Sequence, residues 1–180
     1  MRSFLSGMAA ALLLLALGGG TAIEAGWVDV AATDPHWPAT LWLLDQARAR
    51  SIEAHAAGIQ PPKLDDPAMV QAGVEHYAAH CAICHGAPGV PPGDIARGLY
   101  PRPPDLAGAA RRLGPAELFW VVQHGIKMTG MPAWGDHDDN ELWATVAFLE
   151  ALPGMSEQDY AKLVMTSIQS GGHHHHPGAE

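Results

Sequence analysis

A chain of 180 residues with 48% hydrophobic content carries enough apolar material for one compact core and is not a disordered chain. Its formal net charge of −9 lacks the basic face that phosphate backbones require, so nucleic acid is not an expected partner. An acidic surface suits docking on basic patches of protein partners.

At the N-terminus Arg2 precedes a stretch, 4–23, with no charged side chain. A helix of about twenty residues covers about 30 Å, the thickness of a hydrocarbon core, and Arg2 outside the span fits a cytoplasmic N-terminus. A retained membrane anchor is the preferred reading. The run Gly18-Gly19-Gly20-Thr21-Ala22 also resembles the small-residue end of a cleavable signal peptide, which would leave a soluble periplasmic protein. Residues 1–25 are therefore signal-anchor or signal peptide, and either delivers the remainder to the outer side of the membrane.

Residues 26–65 form a connector. Within it, 40–57 read as an amphipathic helix, with Leu41, Trp42, Leu44, Ala47 and Ile52 on one side and Arg48, Arg50 and Glu53 on the other. A stalk or packing helix is expected; a docking surface for another subunit is the alternative. Pro61-Pro62 then stiffen the lead into the next domain.

Asp66 is placed to cap a helix opening at Pro67. Met69, Gly73 and Tyr77 recur at spacing four, with Val70 and Val74 beside them, so this helix runs on to Cys81. His76 and His80 are spaced to share a surface metal, although solvent exposure is the expected state of both.

The only two cysteines stand in Cys81-Ala82-Ile83-Cys84-His85-Gly86. Thiols two residues apart can add to both vinyl groups of one haem, with the adjoining histidine ligating its iron. A thioredoxin-like redox pair would need a strand before it, and no strand pattern precedes Cys81. A zinc site needs about four ligands, and no second pair follows at a regular spacing. A plain disulfide leaves His85 without a role. Haem attachment is the preferred reading.

Residues 86–108 are so rich in Gly and Pro that no regular element is expected there. Residues 115–124 read as a helix with Leu118, Val121 and Val122 at helical spacing and Phe119 and Trp120 adjacent. The stretch 125–135 carries Met128 and Met131. Asp138 or Asp139 can cap the next helix, whose stripe is Leu142, Val146 and Leu149, joined by Trp143, Ala147 and Phe148, and Pro153 ends it. Residues 154–170 hold one further short amphipathic helix behind a capping-box-like Ser156-Glu157-Gln158-Asp159. Residues 171–180 are a flexible tail whose four adjacent histidines, 173–176, can bind divalent metals weakly.

Four features in order resemble the class I c-type cytochromes over residues 66–153. They are the Cys-x-x-Cys-His-Gly run, the Gly/Pro-rich loop, Gly130-Met131-Pro132, and the closing helix with its Trp and Phe. The resemblance implies an all-α fold of about three core helices wrapped around one covalent haem c. Cys81 and Cys84 would hold the haem, and His85 and Met131 would ligate its iron. Met128 is the alternative to Met131, and His124 would give bis-histidine ligation. It further implies a loop-proline carbonyl, Pro103 or Pro104, on the second ring nitrogen of His85, and a small residue, Gly73, where the C-terminal helix crosses. Arg97, Tyr100 and Arg102 are candidates to meet the haem propionates, with Trp134 bordering one.

If protein atoms fill both axial positions, substrate is kept from the iron and one-electron transfer is the chemistry left, with no catalysis of its own. The expected partners are redox proteins: a quinol-oxidising complex or periplasmic dehydrogenase as donor, and a terminal oxidase as acceptor in a respiratory chain. The alternatives are a haem enzyme or gas-binding sensor with a labile methionine, and a non-redox interaction subunit.

Overall fold

Short acidic side chains start the helices of this chain. Asp66 accepts from Ala68 N at 2.9 Å, Asp105 from Gly108 N at 2.9 Å and Asp138 from Asn140 N at 2.8 Å, each satisfying an amide that the first turn leaves without a partner. Before the last helix, Ser156 Oγ accepts from Asp159 N at 3.1 Å.

A computed structural model describes residues 2–171, which divide after Pro35 into two compact units. The histidines at 173–176 lie outside the described residues. In the first unit, helix α1 (Arg2–Glu24) is followed by turns and is long and apolar enough to cross a membrane.

The second unit holds α2 (Pro38–Ala56), α3 (Pro67–His76), a π-helical segment (Tyr77–Cys81), α4 (Ala82–His85), α5 (Asp94–Arg97), α6 (Leu106–Ala110), α7 (Pro115–His124), α8 (Asp139–Ala151) and α9 (Glu157–Gly171). The described residues contain no strand, only an isolated bridge between Ala87 and Val90. The fold is all-α.

Helix α8 is the centre of the core. Leu142, Ala144, Thr145, Val146, Ala147, Phe148 and Leu149 are all buried, which is more than one stripe, because α3, α6 and α7 pack on it from different sides. The α3/α8 crossing passes at Gly73, where a Cβ would stand 1.9 Å from Ala144 O. Only a residue without a side chain permits that approach. Val74 and Tyr77 from the α3 side and Leu118, Phe119 and Val122 from α7 complete the core.

The flanking helices attach unequally. The C-terminal half of α2 packs on α7, burying Ile52 and Ala56 and stacking His55 on Trp120 at 5.3 Å. Its first turns leave Trp42 66% and Leu43 60% exposed. Helix α9 lies on α3, with Tyr160 buried and Gln71 Nε2 donating to Leu163 O at 2.8 Å.

Two expectations are corrected. The stretch 86–108 is not wholly irregular: α5 forms in the proline-free window between Pro92 and Pro101, and α6 begins directly after Pro104 because Asp105 caps it. The helix leading to Cys81 is not uniform either, since Ala82 N–H bonds to Tyr77 O, five residues back. Such π turns are wider than α turns and recur at functional sites.

Candidate haem site

The π-helical segment and α4 carry both cysteines and His85 on one continuous helical run. Cys81 and Cys84 are free thiols, the first buried and the second half-buried. Burial, and then the neighbouring Cys84, push the Cys81 thiol up to about 12. Such a thiol is not the low-pKa nucleophile of a disulfide oxidoreductase, and no strand precedes it among the described residues.

His85 is held from behind. Its Nδ1 lies 2.9 Å from the Pro104 carbonyl, an acceptor only, so Nδ1 carries the proton and Nε2 presents its lone pair. Burial holds the His85 imidazole below its ordinary pKa despite the opposing pull of the Pro104 carbonyl, so the ring stays neutral as a metal ligand requires. Of the two loop prolines singled out in the sequence, Pro104 is the one that bonds.

Tyr77 adds a contact that no sequence signal marked. Its hydroxyl donates to Gly86 O at 2.6 Å in a buried position, tying the core helix to the turn just after His85. Burial raises the Tyr77 phenol well above its ordinary pKa, so it is a permanent donor.

The methionine loop follows α7. Ile126 N donates to Met131 O at 3.2 Å, and Thr129 Oγ1 accepts from Met131 N at 3.1 Å while donating to Ile126 O at 2.7 Å. This closed loop presses on the end of α7. Gly125, at φ +63°, leaves room for a Cβ only 2.7 Å from Met131 O, which an L side chain could not occupy without displacing the loop. Met131 is half-buried. Met128 is 90% exposed at φ +60°, and does not pack on its surroundings. His124 is exposed, its Nδ1 donating to Trp120 O at 3.0 Å.

Several of the other candidate residues have neighbours within the protein. Arg97 pairs with Asp94, and the Tyr100 hydroxyl accepts from His36 N at 3.0 Å. Trp134 turns its ring to His76, His80 and His137 at 4.8–5.4 Å, and its backbone N donates to Val122 O at 3.2 Å. Arg102 is exposed. An open cavity of about 750 Å³ between the 86–92 loop and the start of α9 touches His85 and Pro103 but neither cysteine nor Met131, so it is not the space between the two expected ligands.

Paired free thiols one helical turn apart, with a neutral histidine oriented by a carbonyl, fit covalent haem attachment and axial ligation. Residues 68–149 match the family model described as cytochrome C oxidase, cbb3-type, subunit III. Among solved structures, the chain is similar to the c-type cytochrome XoxG from Methylobacterium extorquens AM1, at 22% identity and a TM-score of 0.32. That likeness covers 56% of this chain and 66% of the other, just under two thirds of its length. The curated proteins contain no match. Over residues 68–149 the chain is thus similar to the c-type cytochromes of class I. A domain of this kind carries a covalently bound haem c with its iron.

Proposed function

We propose that this protein is a membrane-tethered one-electron carrier whose haem is attached through Cys81 and Cys84 and ligated by His85 and Met131. In this reading 66–153 is the haem domain, 26–65 its connector and packing helix, and 154–170 a covering helix. The observation that carries it is the His85 Nδ1 bond to Pro104 O at 2.9 Å beside two free thiols. That bond fixes the tautomer and orients Nε2 before any ligand is taken up. When bound, the haem supplies one-electron chemistry by alternating between ferric and ferrous iron.

Met131 is favoured over Met128 because its backbone is tied at both N and O within a closed loop, whereas Met128 points away from the fold at 90% exposure. A thioether ligand raises the potential relative to bis-histidine ligation. The acceptor side is supported by the description of the matched family model, which is that of an oxidase subunit. A quinol-oxidising complex or a periplasmic dehydrogenase would stand on the donor side. Helix α1, whose length and composition suit a span, supports a tether with the haem domain on the periplasmic side.

The test is the absorption spectrum of the purified ferric and ferrous protein, with carbon monoxide added to the latter, for the natural chain and for Met131→Ala and Met128→Ala. Low-spin ferric iron with a sulfur-to-iron charge-transfer band, silent to carbon monoxide, is expected for the natural chain and Met128→Ala. Met131→Ala should lose the band and bind carbon monoxide. A natural chain that is high-spin or binds carbon monoxide rapidly would turn the assignment toward a catalytic or gas-sensing haem, and loss of the band in Met128→Ala alone would move the ligand.

A further inference from the structure

The α3/α8 crossing collects a second set of metal-ligating side chains. His76 and His80 lie four apart on the run from α3 into the π-helical segment, and His137 and Glu141 lie four apart where α8 begins. Glu141 bridges the two elements: its Oε1 accepts from His76 Nδ1 at 2.8 Å and its Oε2 from His137 Nδ1 at 3.1 Å. The His80 ring packs on that of His76 at 4.7 Å between centroids, and Trp134 lies against all three imidazoles.

His76 is the unusual member. Solvent exposure is the ordinary state for such a histidine, yet its side chain is 2% exposed, and its Nε2 is buried without a hydrogen-bond partner. Burial outweighs the Glu141 carboxylate and holds the ring below its ordinary pKa, hence neutral. Both His76 and His137 turn Nδ1 toward the Glu141 carboxylate, so an ion seated among the three takes the place of the two Nδ1 protons, which are released on binding, and each ring keeps its remaining proton on Nε2. One donor atom from each of His76, His137 and Glu141 lies within 4.8 Å of the other two. Small side-chain adjustments bring such a set to the roughly 3.3 Å spacing that bonds of about 2.0–2.1 Å give in a tetrahedral site.

We propose that His76, His137 and Glu141, with His80 alongside as fourth donor, bind one divalent transition-metal ion of the zinc type. Nitrogen-rich donors with one carboxylate suit zinc or its neighbours over calcium or magnesium, which take oxygen ligands. The ion joins the helical run that leads into Cys81 to the first turn of α8. It thus cross-links the two elements that meet at Gly73, and the inference does not depend on the identity of the haem ligands.

The histidines at 173–176 are a competing metal binder, so the test starts from the full-length holoprotein with all four replaced by alanine. After chelator treatment it is dialysed against Zn²⁺, and zinc per chain is measured by elemental and amino-acid analysis. One tightly held zinc per chain is expected, weakened roughly 10–100-fold by His137→Ala and by Glu141→Gln, on the scale of lost metal-site groups. Both altered positions lie toward solvent, and an unchanged haem spectrum and helical circular dichroism check that they fold; His80→Gln, at an exposed position, supplies a third variant if either does not. X-ray absorption at the zinc edge should show only nitrogen and oxygen neighbours. No zinc in the tail-substituted chain, unchanged affinity in the variants, or sulfur at about 2.3 Å, which would put the ion on Cys81 and Cys84, would each overturn the proposal.

Discussion

At Gly73 a single hydrogen atom in place of a side chain sets the distance between two helices. A Cβ there would meet Ala144 O at 1.9 Å, Ala144 C at 2.5 Å and Phe148 Cβ at 2.9 Å. Two of these atoms are backbone and none is the tip of a flexible side chain, so relief comes only by moving α8 away from α3. Overpacking of this kind costs about 1–3 kcal/mol, and Gly73→Ala belongs at the upper end because α8 is buried along most of its length. Gly98→Ala is the control: its Cβ would meet nothing closer than Ile95 O at 3.7 Å, at a φ of −90° that alanine adopts freely, so its effect should stay within about 0.5 kcal/mol. Denaturant midpoints of the two holoproteins decide it; equal midpoints would mean that the crossing is looser than the distances say.

Among the elements, α9 shows how a segment outside residues 68–149 becomes part of the fold. Tyr160 is 6% exposed, its ring 6.2 Å from that of Phe148, and truncating a buried aromatic costs about 3–5 kcal/mol. Tyr160→Ala should therefore lower stability by about 3 kcal/mol, whereas Ile168→Ala, 70% exposed on the same helix, should fall within about 0.5 kcal/mol. Thermal or denaturant unfolding compares them, and a neutral Tyr160→Ala would make α9 a dispensable cover. Amphipathic spacing and the Ser156 cap made this helix legible in the sequence, as did the Asp66 and Asp138 caps and the Cys81–His85 run, because those signals are local. What was not legible depends on chain segments far apart. His76 is buried because Glu141 and Trp134 reach it from α8 and the loop before it. The choice of Pro104 over Pro103 depends on where the 86–108 loop comes back to His85. The short α5 was hidden by the surrounding prolines, although its own four residues contain none.

For the whole molecule, the proposed tether would act together with the net charge of −9. Charge steers encounters with basic partners over about a Debye length, some 8 Å at physiological salt, whereas a tether confines the carrier near membrane-bound partners and raises their effective concentration. Helix α1 has 23 residues, about 35 Å at 1.5 Å each, enough for a hydrocarbon core of about 30 Å with modest tilt. Its leucines are exposed, Leu14 at 70% and Leu15 at 72%, and Trp27, 77% exposed just beyond its end, is the residue type that settles at the headgroup level. The full-length protein should therefore sediment with membranes, resist extraction by high salt and alkaline carbonate, and be released by detergent. Replacing residues 2–24 with a cleavable signal peptide should yield a soluble haem protein with an unchanged spectrum. If the natural chain is instead found in the soluble fraction with a mature N-terminus just after the small-residue run at 18–22, α1 is a signal peptide, and encounter with partners rests on charge steering and diffusion alone.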